Sequence, residues 1–204
     1  DAGNWEGDTL TEDLDLSYRA QLKNWKFKYL EDVETPAELP VVISAARSQQ
    51  FRWNKGGAEN FRKSVMSVIS AKNISLKTKF HGVMHLLNSS MFLCVFLVSI
   101  LSIPAMYIKA LYPQFDIVFS LLSFFVLSTI ILFICYWFTY KSIQGSSFDN
   151  FVDYIKLFFT FFSVALGFSL HNSIAVLEGH IGKRSEFVRT PKFNLNNLTD
   201  SWKG

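Results

Sequence analysis

The hydrophobic and polar positions change rhythm several times along the 204 residues. Thr9-Leu10-Thr11-Glu12 has the form of a capping box. Leu14, Tyr18 and Leu22 then recur at i, i+4 and i+8, which is one apolar stripe of a helix. Trp25, Phe27 and Tyr29 alternate with Lys26 and Lys28, the period of a half-buried strand. Pro36 and Pro40 bracket a connector, residues 44–51 suit a helix, and residues 60–80 form an amphipathic pattern with Phe61, Val65, Val68, Ile69 and Leu76 on one face.

Beyond Phe80 the pattern becomes continuous. No Lys, Arg, Asp or Glu occurs from Phe80 to Ile108. The apolar body from Leu86 onward exceeds the ~20 residues a spanning helix needs, and Pro104 sits near its far end. A second charge-free run, Ile117 to Tyr140, also spans, and Tyr136, Trp137 and Tyr140 close it like an interfacial aromatic belt. The third run, Leu157 to Leu170, is broken by His171, Asn172 and Ser173. So short an apolar core is typical of an interfacial or re-entrant helix.

Composition agrees with this division. Half the residues are apolar and 18% are charged, against about 25% in soluble domains, which excludes disordered and disulfide-scaffold classes. Ten acids lie in residues 1–38, whereas residues 39–79 hold eight bases and one acid, Glu59. The basic block ends where the apolar runs begin, as expected of a cytoplasmic flank and not of a nucleic-acid reader. Two crossings return the chain to that side and keep the basic tail (Lys183, Arg184, Arg189, Lys192) cytoplasmic. Cys94 and Cys135 fall inside apolar runs and read as small apolar residues. His81 and His85 lack the Glu of an HExxH zinc motif. No Gly-rich phosphate loop, Ser/His/Asp set or metal-ligand cluster is present, so no metal ligand is assigned. Asp1 opens the chain without a leader-like stretch, and the expectation is a fragment.

Three short motifs carry chemistry. Thr11-Glu12-Asp13 sets acids in a helix's first turn, where the positive end of the dipole favours them. Gln49-Gln50-Phe51-Arg52-Trp53 places an amide, a guanidinium and an indole within about one helical turn. That combination suits a sugar nucleotide, because Arg grips phosphate in a bidentate fork and an indole face stacks on a sugar ring. Phe187-Val188-Arg189-Thr190-Pro191-Lys192 follows the third apolar run.

In this order the three resemble the TED, QxxRW and FxVTxK motifs of the processive family 2 glycosyltransferases, the group of cellulose synthases and cellulose-synthase-like mannan synthases. The last motif matches at Phe187, Thr190 and Lys192 and carries Arg189 where the family has Val. Asn4-Trp5, Ala37 to Pro40 and Gly56-Gly57 also fit, so the resemblance covers essentially the whole chain.

The resemblance implies the C-terminal α/β remnant of a GT-A-type glycosyltransferase domain, followed by an α-helical membrane region with two spanning helices and one interfacial or re-entrant helix. The expected division is 1–58 for the cytoplasmic catalytic remnant and 59–85 for an amphipathic interface helix. Residues 86–140 would hold two transmembrane helices, 141–178 a loop with the third apolar helix, and 179–204 a gating-loop-like tail. Asp13 would be the catalytic base of an inverting hexosyltransferase, with Thr11 and Glu12 shaping the acceptor end. Gln49 and Arg52 would hold the diphosphate of a nucleotide-sugar donor, and Trp53 would stack the acceptor sugar. The loop at Phe187, Thr190 and Lys192 would close over the nucleotide. The product would be a β-linked polysaccharide, exported through an integral plasma or inner membrane protein whose catalytic part is cytoplasmic. Membrane lipids are the surrounding partners and nucleic acid is not one. The Mg2+ or Mn2+ ion would be bound mainly by the DxD-bearing part that precedes the fragment, so the fragment alone is expected to be inactive. The competing readings are a single-transfer enzyme with a lipid acceptor and, in another class, a non-catalytic channel or scaffold.

Overall fold

The structure, a computed structural model, describes residues 2–30 and 32–190. Eight α-helices occur among them and no strand. The expected α/β character is therefore absent from these residues. Trp25, Phe27 and Tyr29 are exposed and lie in irregular backbone. Alternation predicts a strand only where a second strand completes the ladder and one face is covered; here neither condition is met.

One compact unit is formed by the described residues within 1–94 and 170–204. Its first helix, α1 (Glu12–Leu22), starts at Thr11, whose side chain makes no cap bond. The capping box expected from Thr9 does not form: the helix starts two residues later, and Thr9 Oγ1 is buried without a hydrogen-bond partner among the described residues, while the neighbouring Leu10 N–H donates to Glu59 of α2 at 2.8 Å. Helix α2 (Ile43–Ser70) is a single element of 28 residues that runs unbroken through the QxxRW motif and Gly56-Gly57. It merges the two helical segments expected before and after those glycines. A break at 71–75 then separates α3 (Leu76–Leu86), capped by the Ser75 hydroxyl accepting from the Thr78 N–H. The core is Tyr18, Val68 and Leu86, with Leu14, Leu22, Phe61, Val65, Ile74 and Val83 against it. The α1 stripe and most of the α2 face are as expected. Leu76 is exposed, because the break turns the chain before it can join that face; Ile69, still on α2, is exposed as well.

Three consecutive small residues at the middle of α2 receive three other segments. A Cβ on Gly56 would meet Thr11 Oγ1 at 2.5 Å, one on Gly57 would overlap Ser89, and one on Gly179 would lie 2.7 Å from the Ala58 Cβ. Gly179 belongs to α8 (Ser169–Ile181). Close approach of this kind is open only to residues lacking a side chain. Helix α8 ends in a Schellman turn: the Lys183 N–H donates to the Glu178 carbonyl (2.9 Å) and the Gly182 N–H to the Gly179 carbonyl (3.2 Å). Gly182 has the positive φ of +77° that this turn uses.

The second unit covers residues 95–169. It takes in most of α4 (Met91–Leu111, with Pro104 inside), then α5 (Asp116–Leu122), α6 (Val126–Gln144) and α7 (Phe148–Gly167). Helices α5 and α6 are joined by a 3-10 turn at Ser123–Phe125, where the Ser123 hydroxyl donates back to the Ser120 carbonyl at 2.6 Å, a bond that bends apolar helices. Tyr154 of α7 packs on Phe133, Trp137 and Tyr140 of α6.

Three helical stretches are long and apolar enough to cross a membrane, Asn88–Leu111, Pro113–Gln144 and Phe148–Gly167. Their outward faces carry Ile103, Met106 and Phe125, all more than 70% exposed, a concentration of apolar surface that soluble proteins avoid. The chain is an integral membrane protein by this criterion. The third stretch differs from expectation: α7 begins nine residues before Leu157, so length no longer argues for an interfacial helix. Its mean hydropathy, 1.2, is about half that of the other two.

Candidate active site

The site is built on the middle of α2 and the two segments that dock there. Asn60, fully buried, donates through its amide nitrogen to Thr11 O (3.0 Å), Thr11 Oγ1 (2.9 Å) and Gly56 O (3.1 Å). With the Glu59 bond to Leu10, two successive α2 residues fix the entry into α1. Asp13 is thereby held in the first turn. It is exposed, and its Oδ1 accepts the Leu14 N–H at 2.8 Å, leaving Oδ2 for an incoming hydroxyl.

On α2 itself, Arg52 is half-buried and Trp53 half-exposed. The Arg52 guanidinium carbon sits 4.6 Å from the ring centroid of Phe187, a cation–π distance. Its Nε is buried and hydrogen-bonds to nothing among the described residues, as a donor kept for an anion would be. Thr11, Glu12, Asp13, Arg52, Trp53 and Phe187 line one cavity of about 310 Å³, at the small end of the roughly 300–1,000 Å³ of ligand sites. All three sequence motifs thus contribute to one pocket. Gln49 does not line it, Thr190 presents a buried Oγ1 that has no hydrogen-bond partner among the described residues, and Lys192 lies outside the described residues.

A second cavity of about 780 Å³ opens beside it, lined among others by Glu12, Glu59, Arg62, Lys183, Arg184 and Phe187. Burial pushes the Glu59 carboxyl above its ordinary value, only partly offset by the Leu10 N–H and by Lys55 and Arg62. Burial likewise lowers His180, with Arg62 adding to the effect.

A charge cluster beneath α1 was not legible as a unit. Lys63 Nζ lies 2.6 Å from Glu6, 2.8 Å from Asp8 and 3.1 Å from Asp15. Arg19 pairs with Asp15 at 2.8 Å and donates to the carbonyls of Ala2 and Asn4. Burial works against the Lys63 charge, but bonds from Asp8, Glu6 and Asp15 outweigh it and raise its pKa. Asp8 is held low chiefly by its bond to Lys63. Glu6, Asp8 and Asp15 converge closely enough to ligate an ion, yet an ammonium and a guanidinium already neutralise them. That donor set does not fit a divalent cation.

The model of the family described as Glycosyl transferase family group 2 matches residues 1–170. Among curated proteins, the probable glucomannan 4-beta-mannosyltransferase 7 of Oryza sativa subsp. japonica is 49% identical over 81 residues, 40% of this chain and 14% of that protein. The glucomannan 4-beta-mannosyltransferase 9 of Arabidopsis thaliana is 44% identical over 81 residues, 40% of this chain and 15% of its own length. The matched segment is therefore about a seventh of these relatives. No solved structure gives a significant match.

Proposed function

The chain belongs to glycosyl transferase family group 2, and from that premise we propose that it forms the acceptor end and loop-side wall of an inverting hexosyltransferase site, with Asp13 as the base. The observation that carries this is the 310 Å³ cavity to which the three motifs contribute Asp13, Arg52, Trp53 and Phe187. The acceptor hydroxyl gives its proton to the Asp13 carboxylate. Its oxygen bonds to the anomeric carbon of the donor as the bond from that carbon to the phosphate oxygen breaks, and the configuration inverts. Arg52 stabilises the departing diphosphate through its free Nε–H, and Trp53 supplies a face on which the acceptor sugar stacks. Thr11 and Glu12 shape the acceptor side, Gln49 stands one turn before Arg52 as a further donor contact, and the loop of Phe187, Thr190 and Lys192 covers the nucleotide. The relatives' names favour mannosyl transfer to a β-linked glycan, and the motif order, as in the processive enzymes it resembles, adds extension of that glycan and its export. The divalent ion implied by the resemblance finds no fitting donor set among the described residues, and no step here runs through it.

The charge pattern supports a cytoplasmic site in the plasma or inner membrane. It also supports the division into a catalytic part (1–58), an interface helix (59–85), two crossings (86–140), a third apolar segment (141–178) and a gating tail (179–204).

The test uses membranes from cells expressing the full open reading frame that encodes this chain, given labelled GDP-mannose, UDP-glucose or UDP-N-acetylglucosamine with magnesium or manganese. The expected result is label in a high-molecular-weight glycan, falling by about 10²–10⁴-fold in Asp13→Asn, the usual worth of a positioned base. Label confined to lipid extracts would mean a single-transfer enzyme, and equal activity in the variant would remove Asp13 from the role.

A further inference from the structure

Lys55 has no exposed surface at all, and a buried ammonium is tolerated only when paired and hydrogen-bonded. Its Nζ donates to Glu178 Oε2 at 3.0 Å and to the Ser185 hydroxyl. These partners lie 123 and 130 residues away in sequence, so the contact is wholly tertiary. Glu178 is the last-turn acid of α8, and its other oxygen accepts from Lys183 at 2.5 Å. The bonds from Lys183 and Lys55 hold its carboxyl below the usual range. Ser185 lies in the loop itself, two residues before Phe187.

The spacing gives this network a direction. Arg52 and Lys55 are i and i+3 on α2 and so neighbour each other on one face, with Cβ atoms about 5–6 Å apart. Ser185 and Phe187 are two residues apart in chain without helical turns, at most about 7 Å. Helix α2 therefore grips the loop at two matched points, Lys55 on Ser185 and Arg52 on Phe187. What lies between those points is the wall separating three cavities. Phe187 is common to the cavities of about 310 and 780 Å³, and Ser185 is common to the latter and to a third of about 640 Å³ that also reaches Arg52.

We propose that Lys55 is a positioning residue that anchors the root of the loop to α2, through Ser185 and Glu178, so that Phe187 closes the site over the donor. The closing role rests on the function proposed above, while the anchoring stands on the contacts themselves. Lys55 touches no reacting atom; it acts through the loop.

Two variants test it in membranes carrying the full protein. Ser185→Ala removes the loop's side of the anchor and keeps the Lys55–Glu178 pair. The double variant Lys55→Met/Glu178→Met replaces a buried pair by apolar volume, a change that folded proteins commonly tolerate. Trypsin reports the loop directly, because Arg184 and Arg189 lie within it. In both variants cleavage after these residues should accelerate by about tenfold, the factor of one charge-assisted hydrogen bond. The KM for the donor should rise several-fold with kcat little changed. Wild-type cleavage rates in both variants would overturn the proposal, as would faster cleavage with an unchanged donor KM. Asp13→Asn serves as the control: it should stop transfer and keep the wild-type cleavage pattern. Full transfer in that control would sink the reading of the site, while the cleavage rates would still decide whether Lys55 anchors the loop.

Discussion

Asn60 and Glu59 show how much of this site depends on side chains that never reach substrate. Asn60 holds Thr11 through both its carbonyl and its hydroxyl, so Asn60→Ala should destabilise the protein by about 1–3 kcal/mol, the cost of leaving such buried groups unpaired. It should also lower transfer more than it lowers membrane levels, since Asp13 loses its mount; transfer normalised to immunoblot signal checks this. Glu59 predicts the opposite sign. Its folded pKa is raised above the ordinary 4.5, so the folded state binds the proton more tightly. Its contribution to stability is present below 4.5 and is lost as pH rises through the higher folded value. Glu59→Gln keeps an acceptor for the Leu10 N–H and drops the charge. It should raise the thermal midpoint in detergent near neutral pH by about 2–4 °C, the shift that 1 kcal/mol brings at this size, and give no gain near pH 4. A gain at acid pH would contradict the assignment. Asp8, held low by Lys63, runs the other way and contributes stability that fades as pH falls below its ordinary 3.8.

At the scale of elements, the crossing of α8 over α2 depends on the absence of a side chain at Gly179. A Cβ there would lie 2.6 Å from the Lys55 carbonyl and 3.2 Å from the Glu59 nitrogen, backbone atoms that cannot swing aside. Gly179→Ala should cost about 1–3 kcal/mol through overpacking. At Gly167 a Cβ meets nothing within 4 Å, so Gly167→Ala should be neutral or slightly stabilising; equal losses from both would refute the packing argument. These elements also mark how far sequence patterns reach. The stripe of Leu14, Tyr18 and Leu22 was legible because three apolar side chains at helical spacing need one face. Thr11 to Asp13, Arg52, Trp53 and Phe187 were legible through their order in the resemblance. Lys55, Glu59, Asn60 and Lys63 were not, because a charge in a basic block looks solvated until a partner more than a hundred residues away, or on another helix, is brought against it. The strand at Trp25 failed because alternation states a preference and says nothing about whether a partner strand is present.

For the whole molecule, charge and apolar length give different weights to the third apolar segment. The basic tail argues for two crossings, whereas α7 is long enough for a third. A cysteine introduced at Arg184, in a background lacking Cys94 and Cys135, should react with an impermeant maleimide in inside-out vesicles and be protected in sealed right-side-out ones. The reverse pattern would place the tail, and with it the α2 site it packs against, on the outer side of the membrane. The native Cys94 and Cys135, exposed on apolar helices, should resist the same reagent in intact membranes and react with an apolar one, because lipid covers them.

Helix α2 also sets a rule for how this chain can change over evolutionary time. Arg52, Lys55, Gly56, Ala58, Glu59 and Asn60 lie on one uninterrupted helix; Gly56, Glu59 and Asn60 meet the segment that enters α1, whereas Arg52, Lys55 and Ala58 meet α8 and the loop after it. A single inserted or deleted residue among them would rotate everything on one side by about 100° relative to the other. Arg52 would then swing away from Phe187 while Asn60 stayed on Thr11. Point substitutions can be absorbed one neighbour at a time. A change of length cannot, so homologous chains that keep this site should show substitutions but no gaps between the arginine of QxxRW and the asparagine eight residues on.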